Sequence, residues 1–143
     1  MRAAVIRTED ITERQWELLY GQLSEARRQK ADRIHLLAHR RESIAAGALL
    51  EWLLRQQGEE APFFYCASAN GKPFLIGRDG ERKTGVYFSI THTKGLAGAV
   101  VGEVPVGLDA ERIRPYPAKV AARYFSPAEQ KLLEEGNTAA FYR

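Results

Sequence analysis

Apolar residues return at spacings of three, four and seven between Ile34 and Leu53, through Leu37, Ala38, Ala45, Ala48, Leu49 and Trp52. That period predicts a long amphipathic helix ending near Gly58, with Trp52 and the leucines turned into a core. Ahead of it, Arg2–Arg7 is short and rich in small and β-branched residues, the pattern of a strand. Asp10 or Thr12 can cap a helix running through Gln22, with Trp16, Leu19 and Leu23 on one face. Ser24 can cap a second, strongly basic helix. After Gly58 the texture changes. Pro62–Cys66, Val86–Ile90, Leu96–Val101 and Val106–Glu111 read as strands, divided by turn signals at Asn70-Gly71, Asp79-Gly80, Lys94-Gly95 and Pro105. Helical texture returns over Ala118–Tyr124 and after Ser126, where Pro127 and Glu129 complete a capping box with a helix-opening proline. Helices, then antiparallel-looking strands, then helices predict an α+β fold.

Composition narrows the class without changing that picture. The 143 residues are 45% apolar and 27% charged, enough for a domain with a real core. A disordered tail, a collagen-like repeat and a disulfide mini-protein are excluded. The single cysteine, Cys66, has no partner for a bridge, and no Cys/His cluster has zinc spacing. That fits a reducing compartment, so a cytoplasmic protein is expected. The apolar run Gly95–Gly102 is far short of the roughly 20 residues of a membrane helix, and Met1–Ile11 has no signal-peptide core. No membrane association is expected.

Charge adds a direction. The net balance of +3 is uneven: Arg27, Arg28, Lys30, Arg33, Arg40 and Arg41 stand against the lone Asp32 over Arg27–Arg41. Such a field favours phosphates, nucleic acid, acidic proteins or anionic surfaces; a solvated helix face has the same composition, and charge alone leaves both open. No aromatic platform is interleaved with those arginines, so no nucleic-acid partner is expected.

Three short segments could carry chemistry. Asp109 and Glu111, two apart on an expected strand, would share a face, and two acids at a strand end outline a magnesium site. An exposed Asp-x-Glu on a strand's polar face looks the same. In Phe88-Ser89-Ile90-Thr91-His92-Thr93, alternation turns Phe88 and Ile90 to the core, and His92 falls at a strand end. Hydroxyls and an imidazole there offer donors to phosphate oxygens, or serve only the structure. Asn70-Gly71-Lys72-Pro73-Phe74 joins a turn glycine, a point charge and an apolar wall, yet lacks the spacing of a P-loop.

Taken in order, Gly71-Lys72-Pro73, Phe88–Thr93, Gly107-Leu108-Asp109-Ala110-Glu111 and Tyr124-Phe125-Ser126-Pro127-Ala128-Glu129 resemble one family. It is the larger, surfactin-synthetase-activating type within the 4′-phosphopantetheinyl transferase superfamily. The likeness runs from about Leu23 to the end of the chain. Ser89, Thr91 and Thr93 stand where that family has Asn and two Ser, and Tyr124 replaces the first aromatic of a Phe-Phe pair.

The resemblance implies a pseudo-two-fold α+β fold with coenzyme A between two similar halves. Residues 1–103 would form the first half and 104–143 the start of a truncated second. The implied enzyme is a holo-carrier-protein synthase. It moves the phosphopantetheine arm of coenzyme A to a serine of an apo acyl or peptidyl carrier protein, with Mg²⁺ as cofactor. By motif position, Asp109 and Glu111 would be metal ligands, and Thr91 and His92 the pyrophosphate contacts, His92 assisting catalysis. Gly71, Lys72 and Pro73 would form the adenine and phosphate loop, with Arg27, Lys30 and Ser43 around the 3′-phosphate. The family continues into a Trp-x-x-Lys-Glu motif that carries its general base, and this chain ends at Phe141-Tyr142-Arg143 just before it. The expectation is therefore a fragment one motif short of catalysis. The alternative is a non-catalytic half that binds coenzyme A or carrier protein and is completed by another chain.

Overall fold

A computed structural model of the chain describes residues 1–111. The chain divides into two units, Met1–Ala110 and Glu111–Arg143, and the architecture below is that of the first. It takes in residues 104–110, which follow the boundary expected from sequence. The helices expected beyond Ala118 lie outside the described residues.

Strand β1 (Arg2–Arg7) opens the chain, followed by helices α1 (Glu13–Gln22), α2 (Glu25–Asp32) and α3 (Leu37–Gln56). Four strands come next: β2 (Phe64–Ala67), β3 (Pro73–Ile76), β4 (Tyr87–Thr93) and β5 (Leu96–Gly102). Strand β1 joins a three-stranded antiparallel sheet in the order β1-β5-β4, while β2 and β3 make a separate hairpin. Helix starts follow the capping chemistry. Thr12 and Gln15 form a reciprocal capping box at α1, and the Ser24 hydroxyl accepts from the Arg27 amide at α2.

The core has two lobes, both lined by α3. Leu50, Leu53 and Leu54 pack on Phe63, Leu75, Phe88, Ala99 and Val101; Ile44, Ala45 and Ala46 pack on Trp16, Leu23, Ala31 and Ala97. The stripe of α3 differs from expectation. Trp52 is 51% exposed and Leu37 55%, because the buried side is centred on the row Ser43, Gly47 and Glu51. Residues four apart stack along a helix, so this row is a polar groove inside the apolar face.

Arg27 fills that groove. Its Nη2 donates to the Ser43 carbonyl at 3.1 Å. A Cβ on Gly47 would stand 2.7 Å from Arg27 Nε and 3.2 Å from Nη2. Gly47→Ala should therefore destabilise the unit by about 1–2 kcal/mol, the overpacking cost outweighing alanine's better helix propensity. The readout is a lower urea midpoint at unchanged slope; an equal or higher midpoint would show that Arg27 moves aside freely.

Among the described residues, the other face of the sheet is met by the segment that follows β5. Leu108 lies against Gly98 of β5, where a Cβ would meet Leu108 Cδ2 at 3.1 Å, and Val106 lies over Gly102. Small residues in β5 thus let residues 104–110 approach the sheet.

Candidate functional site

The two residues at the end of β4 point in opposite directions, as neighbours in a strand must. His92 shares the parity of Phe88 and Ile90 and meets α3: its Nδ1 is 3.1 Å from Oε2 of the buried Glu42. Thr91 faces the other side. Its hydroxyl accepts from the Ala110 amide at 3.0 Å and donates to Asp109 Oδ1 at 3.4 Å. Ser89 does the same two residues earlier, accepting from the Leu108 amide at 3.2 Å.

Residues Val106–Glu111 are therefore not the strand that their pattern predicts. They run beside β4, but hydroxyls of Ser89 and Thr91 take the place of backbone ladder partners. The Thr91 hydroxyl, expected at a pyrophosphate, is engaged in tying down the segment that carries Asp109.

The turn between β2 and β3 supplies the next group. Gly71 sits at φ 83°, and the Asn70 side chain accepts from the Lys72 amide at 3.2 Å. Lys72 Nζ donates to the Val106 carbonyl at 3.2 Å, joining this turn to the Asp109 segment. Between them is a cleft of about 240 Å³ lined by Asn70, Lys72, Phe74, Arg82, Tyr87 and Pro105. The Arg82 guanidinium lies 4.6 Å from the Phe74 ring centre and 5.9 Å from that of Tyr87. A flat cation braced on two rings, next to a lysine, suits a planar anionic ligand.

The third group is at the start of α3. Arg27 and Ser43, both expected near a phosphate, are brought together as a buried pair. Arg27 Nε is a buried polar atom with no partner among the described residues. Burial pushes the Arg27 guanidinium down from its ordinary range. Lys30, one turn on along α2, is exposed; desolvation first, then the Arg27 charge, lowers its ammonium as well. Three expected contacts thus cluster on the α3 side and three on the cleft side, with the end of β4 between them.

Asp109 is exposed, and its one side-chain partner among the described residues is the Thr91 hydroxyl. Glu111 opens the second unit. Among the described residues no three His, Cys, Asp or Glu gather into a metal-holding cluster. The donor chemistry still fits Mg²⁺, which uses one or two carboxylates and completes its shell with water and phosphate oxygens.

Sequence reasoning missed Glu42, Glu51 and Arg82. The first two had a signal: acids on the buried side of an amphipathic helix call for a partner. Arg82 had none, because its two rings come from different strands.

Among the described residues no helix is long and apolar enough to cross a membrane. No family model matches the chain. The three helices and antiparallel sheet resemble the solved structure of a holo-(acyl-carrier-protein) synthase from Bacillus anthracis str. Ames, determined in complex with CoA (3′,5′-ADP). The TM-score is 0.50 at 23% identity, over 71% of this chain and 92% of that one. The fold is thus the mixed α+β fold of that synthase. A curated relative, the 4′-phosphopantetheinyl transferase psf-1 of Bacillus pumilus, is 26% identical over 125 residues, or 85% of this chain. The chain is thus similar in sequence to a 4′-phosphopantetheinyl transferase and in fold to a holo-(acyl-carrier-protein) synthase. It spans about half, 52%, of the curated relative.

Proposed function

We propose that this chain carries the coenzyme A site of an enzyme that transfers the 4′-phosphopantetheine arm to a serine of an apo acyl or peptidyl carrier protein. The observation that carries the reading is the end of β4. There Thr91 holds the Asp109 segment on one side, and His92 reaches the start of α3 on the other. A pyrophosphate at this point would meet a carboxylate, an imidazole and, through Val106, the Lys72 turn.

In the proposal, Arg82, Phe74 and Pro73 wall the adenine, while Gly71 and Lys72 bring backbone and charge to its phosphates. Arg27, Lys30 and Ser43 serve the 3′-phosphate, a role supported by their gathering at the start of α3, where the Arg27 and Lys30 charges face each other. His92 donates to a pyrophosphate oxygen. Asp109, with Glu111 beyond it in sequence, supplies hard oxygens for Mg²⁺. When bound, that ion would neutralise charge on the diphosphate that leaves as 3′,5′-ADP. The carrier serine oxygen forms the new bond to phosphorus as the bond to ADP breaks.

The test incubates the chain with coenzyme A, Mg²⁺ and an apo carrier protein, and follows the carrier by mass spectrometry. Bound coenzyme A is expected, and a carrier heavier by one arm would show that this chain also completes the transfer. Coenzyme A binding without transfer would leave a binding half and overturn catalysis by this chain. No binding and no transfer would overturn the whole reading.

A further inference from the structure

The Glu42–His92 pair joins a buried acid on α3 to a half-open ring at the end of β4. Glu42 sits in the second turn of α3, nearly out of solvent at 7% exposure, and a buried carboxylate without a partner is costly. Its one side-chain partner among the described residues is His92. That histidine lies at the end of β4, with 42% of its side chain open to solvent. The pair thus leaves the outer edge of the ring open while its inner nitrogen is held.

We propose that Glu42 is a positioning residue that fixes the tautomer and ring orientation of His92 toward an anionic ligand. An ionised carboxylate can only accept, so Nδ1 must carry the hydrogen in a 3.1 Å bond to Oε2. The bond a histidine makes through one nitrogen sets the state of the other. With Nδ1–H held by Glu42, a proton taken up by the ring goes to Nε2, which has no protein partner among the described residues. From there it can be donated to a phosphate oxygen. The inference rests on the assignment of His92 to the pyrophosphate of coenzyme A, and its test separates the two.

The first measurement needs no ligand. Nitrogen chemical shifts of the His92 ring, taken at a pH where it is neutral, should show the Nδ1–H tautomer in the wild-type chain. They should show a mixture dominated by Nε2–H in Glu42→Ala. Glu42→Gln keeps an acceptor for Nδ1–H and should restore the wild-type tautomer. If alanine does not fold, Glu42→Met, close in shape and without a strong acceptor, takes its place. The same tautomer in wild type and Glu42→Ala (or Met) would overturn the proposal.

The second measurement is coenzyme A affinity by titration calorimetry. Glu42→Ala should weaken binding about tenfold, the scale of one hydrogen bond to a charged group, and should have no further effect in a His92→Ala background. An equal loss in both backgrounds would mean that Glu42 acts elsewhere, and would overturn the proposal. If His92→Ala leaves affinity unchanged, the pyrophosphate assignment fails, and the ring-nitrogen result alone then decides whether Glu42 sets the tautomer.

Discussion

Replacing Glu51 by alanine should destabilise the first unit by about 3 kcal/mol, the scale of breaking a buried charged network. The thermal midpoint should fall by roughly 12–20 °C for a unit of this size. Glu51 is 1% exposed and ties three elements together. Its Oε2 accepts from the Ser24 amide, which opens α2, at 3.0 Å. Its Oε1 accepts from the Tyr65 hydroxyl of β2 at 2.9 Å. Burial first, then the facing carboxylate, holds the Tyr65 phenol well above its usual range, so it remains an O–H donor. Truncation would strand both donors and remove the negative charge that faces Arg27 across the groove. Tyr65→Phe removes one donor together with its partner bond and should cost about 1 kcal/mol. Far-UV circular dichroism on heating checks both. A fall below about 4 °C for Glu51→Ala would show that water replaces the carboxylate at no cost.

Glu51 also shows where the sequence was legible and where it was not. The first strand, the caps at Thr12 and Ser24 and the extent of α3 follow from local rules: side-chain oxygens capping helices and apolar residues at helical spacing. Those rules act within a few residues, and there the expected and observed elements agree closely. The buried side of α3 was misjudged because apolar spacing alone selected Trp52 and Leu37. The true stripe includes Ser43, Gly47 and Glu51, which enter the core only because Arg27, Ser24 and Tyr65 arrive from elsewhere to satisfy them. Periodicity cannot weigh a partner that comes from another element.

The site divides in the same way. The residue types at the end of β4 and in the Asn70–Pro73 turn could be chosen from sequence, since donors, a lysine and a carboxylate suit phosphate and a hard cation. Their arrangement could not. Strand parity sends His92 to α3 and Thr91 to the opposite face, so two adjacent candidates are held on different sides of β4. The stretch before Glu111 looked like a strand because Val106, Leu108 and Ala110 alternate with Gly107 and Asp109. Hydroxyls of β4 satisfy its amides instead, which leaves Asp109 exposed at the edge rather than locked in a ladder.

That exposure makes the last prediction separable from stability. Asp109→Ala removes one long hydrogen bond from an exposed side chain, while the Ala110 amide keeps its bond to Thr91, so the thermal midpoint should move little. The effect on ligand binding should be large. With wild type, Mg²⁺ should strengthen coenzyme A binding; with Asp109→Ala that gain should vanish, and any transfer activity should fall by about 10³-fold, equivalent to several kcal/mol of lost charge stabilisation. Asp109→Asn keeps the shape and an acceptor for the Thr91 hydroxyl but loses the charge, and should behave like alanine in Mg²⁺ dependence. Thr91→Val should have a smaller effect on Mg²⁺ dependence and a larger one on stability, because it strands the Ala110 amide while leaving the carboxylate in place. Calorimetric titrations of coenzyme A with and without Mg²⁺ read all three variants. A Mg²⁺ gain that survives in Asp109→Ala would remove this carboxylate from the metal site and leave Thr91 with a structural role alone.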